Sequence, residues 1–320
     1  MAVKMVFWPA FKPDWMARIR ELVVEACEAD SEAAALDLIG DADAYYGRMT
    51  PALLAAGNKL RWIQATSAGL DGYYFPELRD SDVTVTNLRG IYSDVIAEHV
   101  FALLLSMARG IPAYFRSQQE GRWENKDVPV IHVAGTTLGV LGLGGIGLAV
   151  AERGHAFGMR VLALDPAPKG RPDYVERIYG VHELHEMLGE VDFFVICVPH
   201  TGETDRMIDA AALKAMKPSA IFINIGRGKV VDLAALTRAL GNGEIAGAGL
   251  DVFEEEPLPE GHPLWAMENV MITPHVAAIS DRIEDRRIGV ILENIRRFRD
   301  GEPLLNVVDN KRGYVVSLSE

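Results

Sequence analysis

The segment Thr136–Gly147, TTLGVLGLGGIG, constrains the fold more than any other stretch of the chain. An apolar run reads as a β-strand. It ends in Gly142-Leu143-Gly144-Gly145-Ile146-Gly147, a G-x-G-x-x-G turn, and the helical pattern LAVAERGHAFG follows. Each glycine has a physical reason. Gly142 permits a tight turn, Gly144 lets backbone approach a pyrophosphate, and Gly147 lets the helix pack closely on the strand. The first turn of the helix offers unpaired N–H groups to phosphate. A second strand, RVLALDP, carries Asp165 at its end, 18 residues beyond Gly147, where a carboxylate can accept from the adenosine ribose hydroxyls. A strand–glycine turn–helix–strand unit of this kind binds a dinucleotide, and a packing loop without ligand is the plain alternative. Asp165 repels a 2′-phosphate, which favours NAD over NADP, although Lys169 and Arg171 stand nearby.

Further apolar runs continue the series: DFFVICVP, AIFINIG, IAGAGLDVF and NVMITPH. Together they make six β units with helical crossovers, a doubly wound nucleotide-binding domain. An earlier series alternates in the same way. VKMVFW reads as a strand and DWMARIRELVVEACE as an amphipathic helix. ADAYYG, RWIQAT and VTVTN read as further strands, with PALLAA as a helix. A long apolar helix runs from about Ser93, a candidate N-cap, to Arg109. Its apolar character on most sides predicts burial between layers or domains. The expected fold class is therefore α/β, with two doubly wound parallel-sheet domains. Residues 98–282 form a Rossmann NAD-binding domain. Residues 1–97 and 283–320 form a discontinuous, flavodoxin-like substrate domain, completed by the returning tail GEPLLNVVDNKRGY.

Composition narrows the partners. The 320 residues are 49% hydrophobic, enough for two large cores, and the net charge is −13. That charge argues against nucleic-acid and anionic-membrane binding, so an anionic ligand needs a local positive site. The run HVFALLLSM is too short to span a bilayer. Two cysteines, Cys27 and Cys197, make no disulfide framework or metal-site spacing, and no metal is expected. The reading is a cytoplasmic protein.

In open α/β sheets ligands lie beyond the carboxyl ends of the strands. AIFINIG ends at Gly226-Arg227-Gly228, IAGAGLDVF at Asp251 and the run Glu254-Glu255-Glu256, NVMITPH at His275, and DFFVICVP at Pro199-His200. An arginine, an acid and a histidine thus converge on one edge. Arg227 is suited to hold a carboxylate and polarise the adjacent carbonyl, and a glycine on each side lets its backbone turn sharply. His275 is suited to exchange a proton with an alkoxide, and a carboxylate on its other nitrogen would fix its tautomer. Taken singly, each has an ordinary reading: a surface cation, a satisfied loop residue, a solvated turn. His182 and His185 lack the H-E-x-x-H spacing, and His99 reads as a core or interdomain hydrogen-bonding residue. His132, His155, His200 and His262 read as structural or surface groups.

The segments SAGLDG, AEHVFALLLSMAR, GVLGLGGIG, FINIGRGKVVD, GLDVFEEEPLP and ITPHVAA, in this order, resemble the D-2-hydroxyacid dehydrogenase family across nearly the whole chain. The resemblance implies a catalytic Arg227, Glu256 and His275. It implies that Ala68 and Gly69 present N–H groups to a substrate carboxylate; the loop NLRGIYSD departs from the family pattern, and its Arg89 and Tyr92 are candidates to face substrate and shift specificity. It also implies cofactor contacts from Gly142, Gly144, Gly145, Ile146, Gly147, Asp165, Val198, Pro199, Thr204, Ile225, Gly226, Arg227, Asp251, His275 and Ala277, with Asp251 on the nicotinamide carboxamide. Ala278 stands where a small hydroxyl residue is common, and GRWENKD falls in the family's dimer arm, so a homodimer is implied. The implied activity is NAD-dependent hydride transfer between a 2-oxo acid and an (R)-2-hydroxy acid. The alternative is a dinucleotide-sensing, corepressor-like binding protein on the same scaffold. Of the three glutamates, Glu256 is expected to be buried against His275, with Glu254 and Glu255 solvated.

Overall fold

The computed structural model describes residues 3–22, 25–70, 73–124, 128–168 and 170–311. The chain divides into two compact units. One comprises Met1–Ile91 with Asp281–Glu320, the other Tyr92–Ser280. The sequence placed the crossings at 97/98 and 282/283, the first inside a continuous helix. That helix, Ser93–Ala108, lies entirely in the second unit, where it packs on the helix Gly145–Ala156.

The first unit is built on five strands: β1 (Lys4–Trp8), β2 (Glu25–Glu28), β3 (Ala44–Gly47), β4 (Trp62–Gln64) and β5 (Thr84–Thr86). They pair in the order β2-β1-β3-β4-β5, all parallel. This is the flavodoxin-like order. One expectation fails here. The run DWMARIRELVVEACE is not one helix: the helix stops at Arg20, and Glu25–Glu28 forms β2. β2 is an edge strand of four residues, pairing only with β1, and its ends are exposed. A strand covered on one side needs little apolar content, so its polar ends hid it. Capping fixes two helix starts: Ser31 accepts from Ala34 N–H at 3.3 Å and Thr50 from Leu53 N–H at 3.3 Å.

The closing helix Ile283–Asp300 is tied to this sheet by a buried polar cluster. Asn294 Nδ2 donates to Gln64 Oε1 (2.9 Å), and Thr86 Oγ1 donates to the same oxygen (2.9 Å) while accepting from Trp62 Nε1 (2.8 Å). Gln64, Thr86 and Asn294 are each fully buried, so these bonds offset the cost of desolvating them. Beyond the helix, Val307 bridges Thr86 antiparallel.

The second unit has seven strands: β6 (Thr137–Leu141), β7 (Arg160–Leu164), β8 (Arg177–Tyr179), β9 (Phe193–Ile196), β10 (Ile221–Asn224), β11 (Gly247–Leu250) and β12 (Val270–Ile272). Their order is β12-β11-β10-β9-β6-β7-β8, all parallel. The order reverses between β6 and β9, the switch point at which such sheets bind ligands. The seventh strand, β8, is a short edge piece that the periodicity did not reveal. β6, β9, β10 and β11 are buried throughout because apolar clusters cover both faces. Ser93 is not an N-cap: it is the first residue of its helix, whose cap position is Tyr92, with no side-chain capping bond.

Among the described residues no single helix is long and apolar enough to cross a membrane. The pair Ser93–Ala108 and Ile111–Gln119 reaches that length and composition together but bends by 75°.

Candidate active site

The glycine turn closes as its spacing requires. Gly142 has φ +93°, in the region that favours glycine. At Gly147, a Cβ would lie 1.8 Å from the Gly142 carbonyl oxygen, so any side chain there would force the helix off the strand. The helix Gly145–Ala156 starts from Gly144 without a side-chain cap, which leaves its first N–H groups facing outward. Asp165, one residue past β7, accepts from Leu143 N–H (2.8 Å) and Ala167 N–H (2.9 Å) and so holds the turn against the second strand. Arg171 donates to the Val175 and Glu176 carbonyls (2.6 and 3.1 Å), committed to its own loop. Lys169 lies outside the described residues.

At the end of β10 the chain is organised by a residue that motif reading passed over. Asn224 is 2% exposed. Its Oδ1 accepts from Gly226 N–H (3.0 Å) and its Nδ2 donates to the Arg227 carbonyl (3.1 Å), so it holds the Ile225–Gly226 and Arg227–Gly228 peptides across the turn that carries the arginine. A lone amide inside the apolar run AIFINIG was the available signal. The flanking glycines do not act as expected. Neither Gly226 nor Gly228 has positive φ. They make room instead: a Cβ at Gly226 would sit 2.8 Å from the Val198 carbonyl oxygen. The half-buried Arg227 donates from Nη1 to the Gly226 carbonyl (2.7 Å).

His275 follows β12 with φ +55°, a left-handed conformation unusual for a residue with a side chain. Asp251 holds it there. The Asp251 carbonyl accepts from His275 N–H (2.9 Å). Its carboxylate accepts from Thr273 Oγ1 (2.6 Å), Val276 N–H (2.9 Å) and Ala277 N–H (3.0 Å). Asp251 is 1% exposed, so this buried charge is compensated by three donors from one short loop. The sequence resemblance had suggested a cofactor contact for Asp251; in the structure its carboxylate is an anchor for the His275 loop.

The His275 ring meets Glu256. Nδ1 lies 2.7 Å from Oε2, while Glu256 Oε1 accepts from Phe253 N–H at 3.0 Å. An ionised carboxylate only accepts, so the ring proton in this pair is assigned to Nδ1, and Nε2 is left for a third partner. The expectation of burial fails: the Glu256 side chain is 35% exposed and that of His275 53%. Glu255 and Pro257 are exposed too, so this contact forms at a rim. Nor is Glu254 simply solvated, since it is half-buried and 3.6 Å from Arg206.

The remaining candidates are distributed as follows. Val198, Pro199 and Thr204 belong to the loop after β9, where Thr204 Oγ1 donates to the Pro199 carbonyl (2.8 Å). Ile146 is half-buried on the glycine-loop helix, and Ile225 and Ala277 are buried in the second unit's core. Tyr92 packs against that same core. Ala68 and Gly69 belong to the first unit, in the loop after β4. Their carbonyls accept from Asn87 Nδ2 (2.7 Å) and Ser67 Oγ (2.7 Å). Among the described residues no group of His, Cys, Asp and Glu could hold a metal.

Comparison with known proteins bears on this arrangement. The sequence model described as "D-isomer specific 2-hydroxyacid dehydrogenase, NAD binding domain" matches residues 101–277, more than half of the chain. The chain belongs to the D-isomer specific 2-hydroxyacid dehydrogenase family. It is 38% identical over 291 residues to a glyoxylate reductase of Korarchaeum cryptofilum, covering 88% of this chain and 87% of that one. It is 35% identical over 285 residues to glyoxylate/hydroxypyruvate reductase B of an Enterobacter species, covering 88% and 86%. Among solved structures, a D-isomer specific 2-hydroxyacid dehydrogenase from Xanthobacter autotrophicus, in complex with NADPH and MES, superposes with TM-score 0.83 at 35% identity, covering 98% of this chain and all of that one. The protein is an oxidoreductase, a 2-hydroxyacid dehydrogenase. The binding-protein alternative finds no support among these relatives.

Proposed function

We propose that the enzyme reduces a small 2-oxo acid to the (R)-2-hydroxy acid with NADH, with Arg227, Glu256 and His275 as its working groups. The observation that carries this reading is the Glu256–His275 pair, 2.7 Å apart beyond the strand ends of a dinucleotide-type sheet. The turn from Gly142 to Gly147 fits a dinucleotide, because glycines close it tightly against the strand and its helix begins without a side-chain cap, leaving N–H donors for a pyrophosphate. A bound dinucleotide supplies the hydride. The chain's residues do the rest. Arg227 holds the substrate carboxylate and draws charge toward the adjacent carbonyl oxygen. His275, protonated, gives the Nε2 proton to that oxygen as the alkoxide develops. Glu256 holds the other ring nitrogen and so fixes which nitrogen faces substrate.

Asp165 at the proposed ribose position favours NADH over NADPH by charge, and Arg171 spends its Nη1 on two carbonyls of its own loop. Ile111, Phe115, Trp123 and Val130 are exposed apolar residues within twenty positions, which favours a homodimer through this segment. Two free cysteines accord with the cytoplasm.

The test is NADH and NADPH oxidation with glyoxylate, hydroxypyruvate, phosphohydroxypyruvate, pyruvate and bulkier aromatic or branched oxo acids. Turnover of glyoxylate or hydroxypyruvate with NADH is expected. Tight NADH binding with no turnover across the panel would overturn the reading.

A further inference from the structure

The helix Ser93–Ala108 lies along β11 with matched steps. Met107, Leu103 and His99 are spaced by four and share one helix face, while Gly247, Gly249 and Asp251 are spaced by two and share one strand face. Four helical residues rise about 6 Å. Two strand residues rise about 6.6 Å. The two series therefore stay in step. A Cβ at Gly247 would meet Met107 Cε at 2.5 Å, and one at Gly249 would meet Leu103 Cβ at 3.1 Å. The next rung places His99 Nε2 3.7 Å from Asp251 Oδ1. The two glycines bring the helix down onto the strand, and that brings an imidazole to a buried carboxylate.

The 3.7 Å separation is too long for a hydrogen bond, and the Thr273 hydroxyl fills the gap. Thr273 Oγ1 lies 2.6 Å from Asp251 Oδ1 and 3.0 Å from His99 Nε2. A hydroxyl has one proton. The short bond to an acceptor-only carboxylate claims it, so the hydroxyl accepts from His99 Nε2–H. The chain is directed: His99 donates to Thr273, and Thr273 donates to Asp251. Asp251 in turn receives the N–H groups of His275, Val276 and Ala277, which hold His275 at φ +55°.

We propose that His99 is a positioning residue for His275, acting through Thr273 and Asp251. The proposal rests on the reading of His275 as the acid–base group. His99 fixes the Thr273 hydroxyl rotor. The rotor completes the donor set on Asp251, and Asp251 keeps the histidine loop in a backbone conformation it would otherwise leave.

The experiment compares His99→Ala, His99→Gln, Thr273→Val, Thr273→Ser and the double variant His99→Ala/Thr273→Val, with His275→Ala as reference. It measures kcat and KM with the most rapidly reduced oxo acid of the panel above, and NADH Kd by fluorescence. His99→Ala and Thr273→Val should each lower kcat about ten-fold, as expected for a displaced reacting group. The double variant should fall no further than Thr273→Val, because both changes cut one chain. Thr273→Ser and His99→Gln, which keep a hydroxyl and a donor, should recover most of the rate, and NADH Kd should stay within about two-fold of the parent enzyme. Multiplying losses in the double variant would overturn the proposal, as would losses that appear only in NADH affinity. If His275→Ala retains turnover, the reading of His275 fails. If His275→Ala is inactive while the His99 and Thr273 variants turn over normally, only the role of His99 falls.

Discussion

Gly228 lies against the peptide between Phe253 and Glu254: a Cβ at Gly228 would come within 1.8 Å of the Phe253 carbonyl carbon and 2.4 Å of Glu254 N. The loop that carries Arg227 and the loop that carries Glu256 therefore touch backbone to backbone, and glycine is the residue that permits it. Phe253 also donates its N–H to Glu256, so this contact helps set where the carboxylate points. Gly228→Ala should separate the two loops. We expect a loss of about 1–3 kcal/mol of stability from overpacking. We expect kcat to fall about a hundred-fold from misplacement of the reacting groups. Thermal melts and steady-state rates test both, and a melting temperature and kcat equal to those of the parent would refute them.

Asn224 accepts from the Gly226 N–H and donates to the Arg227 carbonyl, bracing the turn that carries the arginine. Asn224→Ala leaves the buried Gly226 N–H without its acceptor, at a cost of about 1–3 kcal/mol, while the Arg227 carbonyl keeps the Val230 N–H (3.2 Å). In the proposed mechanism KM for the oxo acid should rise about ten-fold while NADH affinity is spared. Asn224→Asp keeps the acceptor for Gly226 N–H but points an acceptor at the Arg227 carbonyl, so it should not restore KM. An unchanged KM in both variants counts against a positioning role for Asn224.

The two outer acids of the run Glu254–Glu256 differ in partner. Glu256 meets the histidine, and Glu254 lies near Arg206. Glu256→Gln should lower kcat about ten-fold by weakening the hold on the ring, and His275→Ala about a hundred-fold or more by removing the acid. Glu254→Gln should stay within about two-fold of the parent, since its partner is the exposed Arg206, 3.6 Å away, rather than the histidine. Equal losses at 254 and 256 would mean that the histidine contact is not what matters.

Burial pushes the Cys197 thiol up from its ordinary 9.0 to about 12. The sign is that of an acid kept neutral: folding favours the protonated thiol, the stabilisation is complete below about pH 9, and it is lost as pH rises toward 12. At pH 8 Cys197 should resist iodoacetamide in the native protein and react after unfolding, because only the thiolate is nucleophilic. Peptide mass spectrometry after brief alkylation decides it, and rapid native labelling at Cys197 is the contrary result.

Asp165→Asn removes the charge from the proposed ribose position while keeping one acceptor, for either Leu143 N–H or Ala167 N–H. The ratio of kcat/KM for NADPH to that for NADH should rise about ten-fold, equivalent to about 1.4 kcal/mol. An unchanged ratio would place cofactor discrimination elsewhere.

Much of this was legible in the sequence where a local rule carries the information. The glycine turn was, because Gly142 and Gly147 answer to steric limits that hold in any protein. The apolar central strands were, because burial on both faces leaves continuous apolar runs. The edge strands β2 and β8 were not: EACE and RIY are covered on one side only, so their composition resembles a loop or a helix end. The part Asp251 plays in holding the His275 loop was not legible, because its three donors come from a loop more than twenty residues away. Glu256 was placed against the right partner, but the proline beside it carries no information about solvent, and the pair proved more exposed than expected. The glycines around Arg227 were recognised and their reason mistaken: they yield space to neighbouring backbone rather than bend their own.

Gly247 and Gly249 carry no functional group and touch no reacting atom, yet they let the helix of His99 rest on β11. A laboratory evolving this enzyme toward new substrates would treat them as free scaffold positions. Their contacts argue otherwise. A Cβ at Gly247 would press on the Asn269 carbonyl (2.7 Å) as well as on Met107, and one at Gly249 would crowd Leu103 at 3.1 Å, so an alanine at either should be felt by the helix, and more at Gly247 than at Gly249.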